Sequence, residues 1–349
     1  MLALLVGGSL LVSPWSLEPT ADAGAKLPDA LVRYLSRAQF GSDEYAALAA
    51  GRATSKVLES SNRDLLGVVA VVRVNRPPQR YIAAFRDIVR FEKSGAGVLA
   101  MGTFSKPPTL GDVQSLTVPE SDFRTLASCD VGDCDVNLSA STIKQFRARV
   151  KWSRPDALAQ AQRVWQAAIV EYVNEYQARG NSALMVYEDG DPPIALATKS
   201  AGLFAESDDL APLPSIAKYF TEYRAAQLPP DAEEFFYWQQ ITFGMKPVTR
   251  VNHVVMTPLT IDGRPSWVIV SRMIYASHYF RDGLEVRYLV PVDGSPAPGA
   301  FYLVLVSRSH SESLTGLKGL LIGGIVRRKV RDSTARHVGK VKESLESRP

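Results

Sequence analysis

From Lys246 onward the apolar residues of this chain change period, from the near-3.6 spacing of helices to the alternation of strands, and four consecutive segments keep the new period. Residues 248–256, 267–278, 284–290 and 301–310 read as strands, with Asp262-Gly263, Asp282-Gly283 and Asp293-Gly294 marking the turns between them. Successive strands with short connections form an antiparallel meander. A long helix follows over 317–345, with Ile322, Val326, Val330, Val338, Val341 and Leu345 on one face. A meander must cover at least one apolar face, and this helix is next in the chain. The fold class is therefore α+β, an antiparallel β-meander gripping a long C-terminal helix. Gly323-Gly324 would permit close contact between helix and sheet, at some cost in helix stability.

Upstream, residues 30–50 read as a helix, and 53–59 and 65–74 as two strands. The second strand, with Gly67-Val-Val-Ala-Val-Val, is apolar enough to be covered on both faces. Pro77-Pro78 opens a helix to about Phe91, and shorter strands are expected at 98–104 and 113–117. The middle of the chain reads as helical: a short helix after Ser139, a long one over 155–178 ending at Gly180, then helices over 215–224 and 231–243. The stretch 192–214 reads as a loop. With 349 residues, 46% of them hydrophobic, there is material for a large core; we take 26–349 as one α+β domain with 139–230 as a mainly helical insertion.

The compartment follows from two features. Residues 2–12 are almost unbroken apolar sequence, followed by Pro14 and small residues around Ala21, Ala23 and Ala25, the order of a signal peptide over 1–25. The run is shorter than the roughly 20 residues a membrane-spanning helix needs. The only two cysteines, Cys129 and Cys134, are close in sequence, and outside the cytoplasm such a pair is expected as a disulfide. A zinc site wants four ligands, and a redox pair is normally C-x-x-C. Asp130, Asp133 and Asp135 miss the calcium-loop spacing and read as a solvated turn. The expectation is an exported, periplasmic protein with no metal and no cofactor.

Two resemblances bear on the fold. The segment "GVVAVVRVNRPPQRYIAAFRDIVRF", with the meander and last helix, resembles the START-like, Bet v 1-like helix-grip superfamily. That resemblance implies a curved sheet enclosing a cavity for a lipid or other apolar ligand. "SCDVGDCDVNL", "FFYWQQITFGMKPVTRVNHV", "IYASHYF" and "YLVLVSRS" are similar to segments shared by an uncharacterised exported bacterial protein family. This second resemblance implies a compartment and a fold, and no activity.

The chemistry is sparse. No nucleophile elbow, P-loop or dinucleotide fingerprint is present, and no H-E-x-x-H. Of the four histidines, His253 and His278 fall where alternation could put them on one face of adjacent strands; no residue is assigned a catalytic role. The expected function is binding or carrying a hydrophobic small molecule or lipid, lined by Trp267, Ile269, Met273, Tyr275, His278, Phe301, Leu303 and Leu305. The alternatives are a hydrolase-type enzyme using His278 with Tyr275 or Tyr279 and a nearby carboxylate, and a structural or envelope-interaction protein. Residues 316–349 carry a net charge of +6, which suits peripheral contact with an anionic membrane or a solvated helix face. Nucleic acid is excluded as a partner, because export removes it and the rest of the chain is slightly acidic.

Overall fold

The computed structural model describes residues 27–93, 97–242, 245–292, 299–311 and 316–347, the last stretch with side chains from 323 onward. The expected signal segment and the Asp293-Gly294 turn lie outside the described residues. Two helices, α1 (Asp29–Arg37) and α2 (Ser42–Ala49), stand where one was expected, because Gln39 turns the chain at φ 58°. Strands β1 (Thr54–Leu58) and β2 (Leu65–Val74) follow, and β2 is buried along both faces. Pro77 and Pro78 open α3 (Pro78–Arg86). Asp87 ends it and, by accepting the Arg90 N–H at 3.3 Å, starts α4 (Ile88–Glu92). Strand β3 (Val98–Thr103) comes next.

The strand expected at 113–117 is absent. After a tight turn at Leu110–Val113, glutamine side chains take up the backbone groups that a neighbouring strand would have paired. Gln166 Nε2 donates to the Val113 and Leu116 carbonyls at 3.0 Å, and Gln240 Nε2 to Thr117 O at 2.6 Å. Helix α5 (Glu120–Leu126) then leads to the Cys129–Cys134 disulfide, whose turn uses Gly132 at φ 87°. Closing so short a loop stabilises by about 2 kcal/mol, enough to pin a turn but not to hold a fold. The bond indicates an oxidising, non-cytoplasmic setting.

Ser139 caps α6 (Ala140–Arg149), and α7 (Ala157–Arg179) ends at Gly180. A small hairpin, β4 (Val186–Tyr187) with β5 (Ile194–Ala195), is tied to the disulfide turn, because Gly132 N–H donates to Glu188 O at 2.7 Å. Helix α8 (Leu196–Ala205) occupies what was expected as a loop, burying Leu196, Ser200, Leu203 and Phe204; α9 (Pro214–Thr221) follows. The stretch expected as a helix over 231–243 is instead β6 (Glu233–Ile241). Phe235 and Tyr237 pack on one face of the sheet and Phe236 and Trp238 on the other. A strand covered on both faces has no polar alternation, so its period does not distinguish it from a buried helix.

The meander is β7 (Val248–Ile261), β8 (Arg264–Ala276), β9 (Phe280–Pro291) and β10 (Phe301–Ser311), followed by α10 (Gly316–Glu346). Asp262 and Gly263, at φ 47° and 76°, make the expected β7–β8 turn. Asp282-Gly283 lies inside β9; the reversal falls at 277–279, where Tyr279 takes φ 63°. The eight-stranded antiparallel sheet runs β1-β2-β10-β9-β8-β7-β6-β3. Since β3 and β6 are neighbours, the helices between them form an excursion that leaves the sheet and returns beside its point of departure.

Both faces of the sheet are covered. One core holds residues of α3, α4 and α10, including Val338, Val341 and Leu345; the other holds α1, α2 and the helices α7 to α9. Burying each of those α10 side chains stabilises by about 1.5–3 kcal/mol. Val326 and Val330 extend the contact over Leu66 and Val68. The close approach expected at Gly323-Gly324 is not seen at Gly324, which has open space around it; at Gly339, by contrast, an added Cβ would stand 3.6 Å from the Ala53 Cβ, at ordinary contact distance. No helix among the described residues is long and apolar enough to cross a membrane.

Candidate functional site

The register sets out the α10 face of the meander as rows running across neighbouring strands. Trp267, Leu289, Leu303 and Val72 form one row; Met256, Ile269, Arg287, Leu305 and Ala70 form the next. Beyond them comes Val254, Ser271, Glu285 and Ser307, and then Tyr237, Asn252, Met273 and Gly283. The face therefore passes from apolar to polar within two rows. Of the expected ligand-lining residues, Ile269, Phe301, Leu303 and Leu305 do share this face with Trp267. All but Trp267 are buried beneath α3, α4 and α10.

The polar rows are only partly satisfied. Arg287 is 4% exposed, pairs with the Glu285 carboxylate, and lies with its guanidinium carbon 4.9 Å from the Phe85 ring centroid, yet its Nη1 has no partner. Ser271 Oγ and Asn252 Nδ2, in residues 4% and 6% exposed, are likewise unpartnered, and so is Arg250 Nε farther along β7. Each such buried group costs about 1–3 kcal/mol of lost solvation. Burial opposes the charge of Arg287, but the Glu285 carboxylate, with Tyr81, Glu92 and Tyr237 around it, raises its pKa above the ordinary arginine value. Solvent reaches the patch at Glu285, whose side chain is 30% exposed.

Two expected liners lie elsewhere, and Met273, though on this face, packs apart from the apolar rows. A β-bulge at Ile274 shifts the register between Val251 and Asn252, so Tyr275 faces the opposite core, where its hydroxyl donates to Asn137 O at 3.1 Å. Met273 packs in a separate small cluster with Val248 and Ala276, at a point where Gly283 leaves room for its methyl group. His278 lies past the end of β8 and is not brought together with His253.

His278 sits instead in a corner where the segments "SCDVGDCDVNL", "FFYWQQITFGMKPVTRVNHV" and "IYASHYF" meet. Its Nε2 donates to Asp122 Oδ1 at 3.0 Å, and Asp122, fully buried, leaves Oδ2 unpartnered. Asn137, just past the disulfide, binds the corner from beneath: its N–H donates to Ser277 O and its Nδ2 to Ala276 O, both at 2.9 Å. Lys246 N–H donates to Tyr279 Oη at 3.2 Å, and its ammonium pairs with Asp135. Alongside runs a groove of about 410 Å³ lined by Leu99, Thr117, Pro119, Ser121, Gln240 and Pro247 among others. Ser121 Oγ bonds Asp122 Oδ1 at 3.1 Å. The order hydroxyl, carboxylate, imidazole orients His278 but does not present a hydroxyl to it as a nucleophile.

His253 joins the helical excursion to the sheet. Its Nε2 donates to Glu234 at 2.8 Å and its Nδ1 accepts from Tyr176 Oη at 3.1 Å, while its ring stacks on Phe236 at 4.3 Å. Burial lowers its pKa despite the carboxylate beside it. For Glu234, burial works against the charge, but His253, Tyr219 and Lys106 outweigh it and bring the carboxyl down to about 2. These groups are satisfied and act as a joint. Among the basic residues of α10, Arg327 and Lys342 donate to backbone carbonyls of the chain near β2, whereas Arg328, Lys329, Arg336 and Lys340 are exposed.

No family model matches the chain, and no curated protein matches it. The polar members of the α10 face escaped the sequence reading, although they left a trace. Ser271 sits between Ile269 and Met273 in β8, and Arg287 beside Leu289 in β9, each a polar residue at an inward position. Asp122 left none, being 156 residues from His278.

Proposed function

We propose that this is an exported, periplasmic protein, START-like in design, that binds or carries a hydrophobic small molecule or lipid on the α10 face of its meander. The observation that carries this reading is the polarity gradient on that face. Apolar rows around Trp267, Ile269 and Leu303 run into a row of Ser271 and Glu285 that solvent reaches. A core needs no such gradient; a site for an amphiphile does. The signal-like N-terminus, the disulfide and the segments similar to the exported bacterial family support the compartment. The exposed cations of α10 provide for contact with an anionic membrane, each contributing about 1 kcal/mol at such a surface. Native mass spectrometry after mild extraction tests this: the protein is expected to carry a hydrophobic adduct and to gain thermal stability from at least one member of a lipid panel.

A second reading, a hydrolase using His278, is favoured by the carboxylate that Asp122 supplies beside the groove. It predicts turnover of a short aryl ester that falls about 100-fold or more in His278→Ala. Unchanged turnover in that variant removes it.

A further inference from the structure

We infer that the site on the α10 face selects an uncharged head group rich in hydrogen-bond acceptors, an ester or ketone carbonyl, over a carboxylate or an amine. The inference rests on the proposed function and adds the class of ligand. Four buried polar atoms without partners lie on this one face: Arg287 Nη1, Ser271 Oγ, Asn252 Nδ2 and Arg250 Nε. They come from three adjacent strands. Asn252 stands opposite Met273, Val254 opposite Ser271, and Ile269 opposite Arg287, so the residues bearing them follow one another diagonally across β7, β8 and β9. Three of the four atoms are obligate N–H donors and the fourth is a hydroxyl that can donate. A ligand that satisfies them must bring acceptors, which an ammonium head cannot do.

The charges then choose between neutral and anionic acceptors. The two guanidinium groups are balanced by two carboxylates, Glu285 paired with Arg287 and Glu92 close enough to raise the pKa values of Tyr81 and Arg287. His337 Nε2 lies 3.8 Å from Glu92 Oε1 and further occupies that carboxylate. A carboxylate head would be the third acid in a patch with two guanidinium cations, in a setting where burial strengthens every repulsion. A carbonyl oxygen accepts the same hydrogen bonds without adding charge. The adjoining rows, Met256, Ile269 and Leu305, then Trp267, Leu289 and Leu303, give the apolar remainder a matching direction.

The test uses the full mature chain, delipidated, with methyl palmitate, palmitate, hexadecylamine and hexadecane as probes, and reads binding by native mass spectrometry and thermal shift. Methyl palmitate is expected to bind about tenfold more tightly than hexadecane, about the gain from one satisfied buried donor. Palmitate and hexadecylamine are expected to bind more weakly than the ester. Ser271→Ala and Asn252→Ala, each checked for an unchanged unliganded unfolding curve, should lose the preference for ester over hydrocarbon while hexadecane binding stays the same. Arg287→Met is a third variant, informative only if folded, and Ser271→Ala alone keeps the test decisive. Equal binding of ester and hydrocarbon, or tighter binding of palmitate, overturns the head-group inference and leaves the proposed function standing. Failure of all four probes to bind overturns both.

Discussion

Replacing His253 by alanine is expected to destabilise the protein by about 3–5 kcal/mol, read as the shift in the midpoint of urea unfolding. The imidazole is fully buried and stacked on Phe236, with the rings of Phe220 and Tyr223 centred 4.9 and 4.6 Å away. Removing it leaves a cavity among these rings and takes a hydrogen bond from both Tyr176 and Glu234. Such a loss is a large fraction of the roughly 5–15 kcal/mol that separates folded from unfolded chains. The same joint gives a pH dependence of definite sign. Glu234, with an ordinary value of 4.5 brought down to about 2, contributes stability that is fully present above pH 4.5 and lost as the pH falls toward 2. Depression of the His253 pKa acts in the same direction, since below pH 6.5 the unfolded chain takes up the proton first. In His253→Ala the acid-induced loss of stability should be smaller. A variant with wild-type unfolding and an unchanged acid limb would show that the joint does not hold the excursion to the sheet.

Gly180→Ala is expected to cost about 3–5 kcal/mol and to loosen the excursion as well. Gly180 ends α7 at φ 64° and ψ −140°, a region open only to glycine. A Cβ added there would stand 2.0 Å from the Tyr223 carbonyl oxygen, a backbone atom that cannot swing aside as a side chain would. Strain and clash therefore add. The substitution also disturbs Tyr223, which packs on His253, and Asn181, which accepts from Arg272 Nη1 at 2.6 Å. Hydrogen exchange should show faster opening at α7 and α9 than in the meander. Stability within about 0.5 kcal/mol of wild type would contradict this placement of Gly180.

The meander and its helix were legible because alternation, Asp262-Gly263 and the apolar face of α10 are local signals that tertiary packing reinforced. The helical excursion was legible from caps such as Ser139 and Gly180, but β6 was not. Phe236 to Trp238 are buried on both faces, and a run without polar alternation carries no period. The segment 113–117 was misread because its partners are glutamine side chains from α7 and β6, which no local pattern announces. For the candidate site, the apolar half was read from alternation along β8 and β10. Tyr275 was misplaced because one extra residue at Ile274 reverses the side to which every later residue points. The donors that define the polar half are brought together only by register across three strands.

The most direct measurement of the central claim is native mass spectrometry of the protein extracted gently from its own oxidising compartment, alongside Ser271→Ala prepared in the same way. The account predicts a hydrophobic adduct on the wild-type chain, its occupancy lower in Ser271→Ala, and a thermal gain when the stripped protein is given back the extracted lipid fraction. A bare mass in repeated preparations, with no thermal response to that fraction or to a lipid panel, would contradict it.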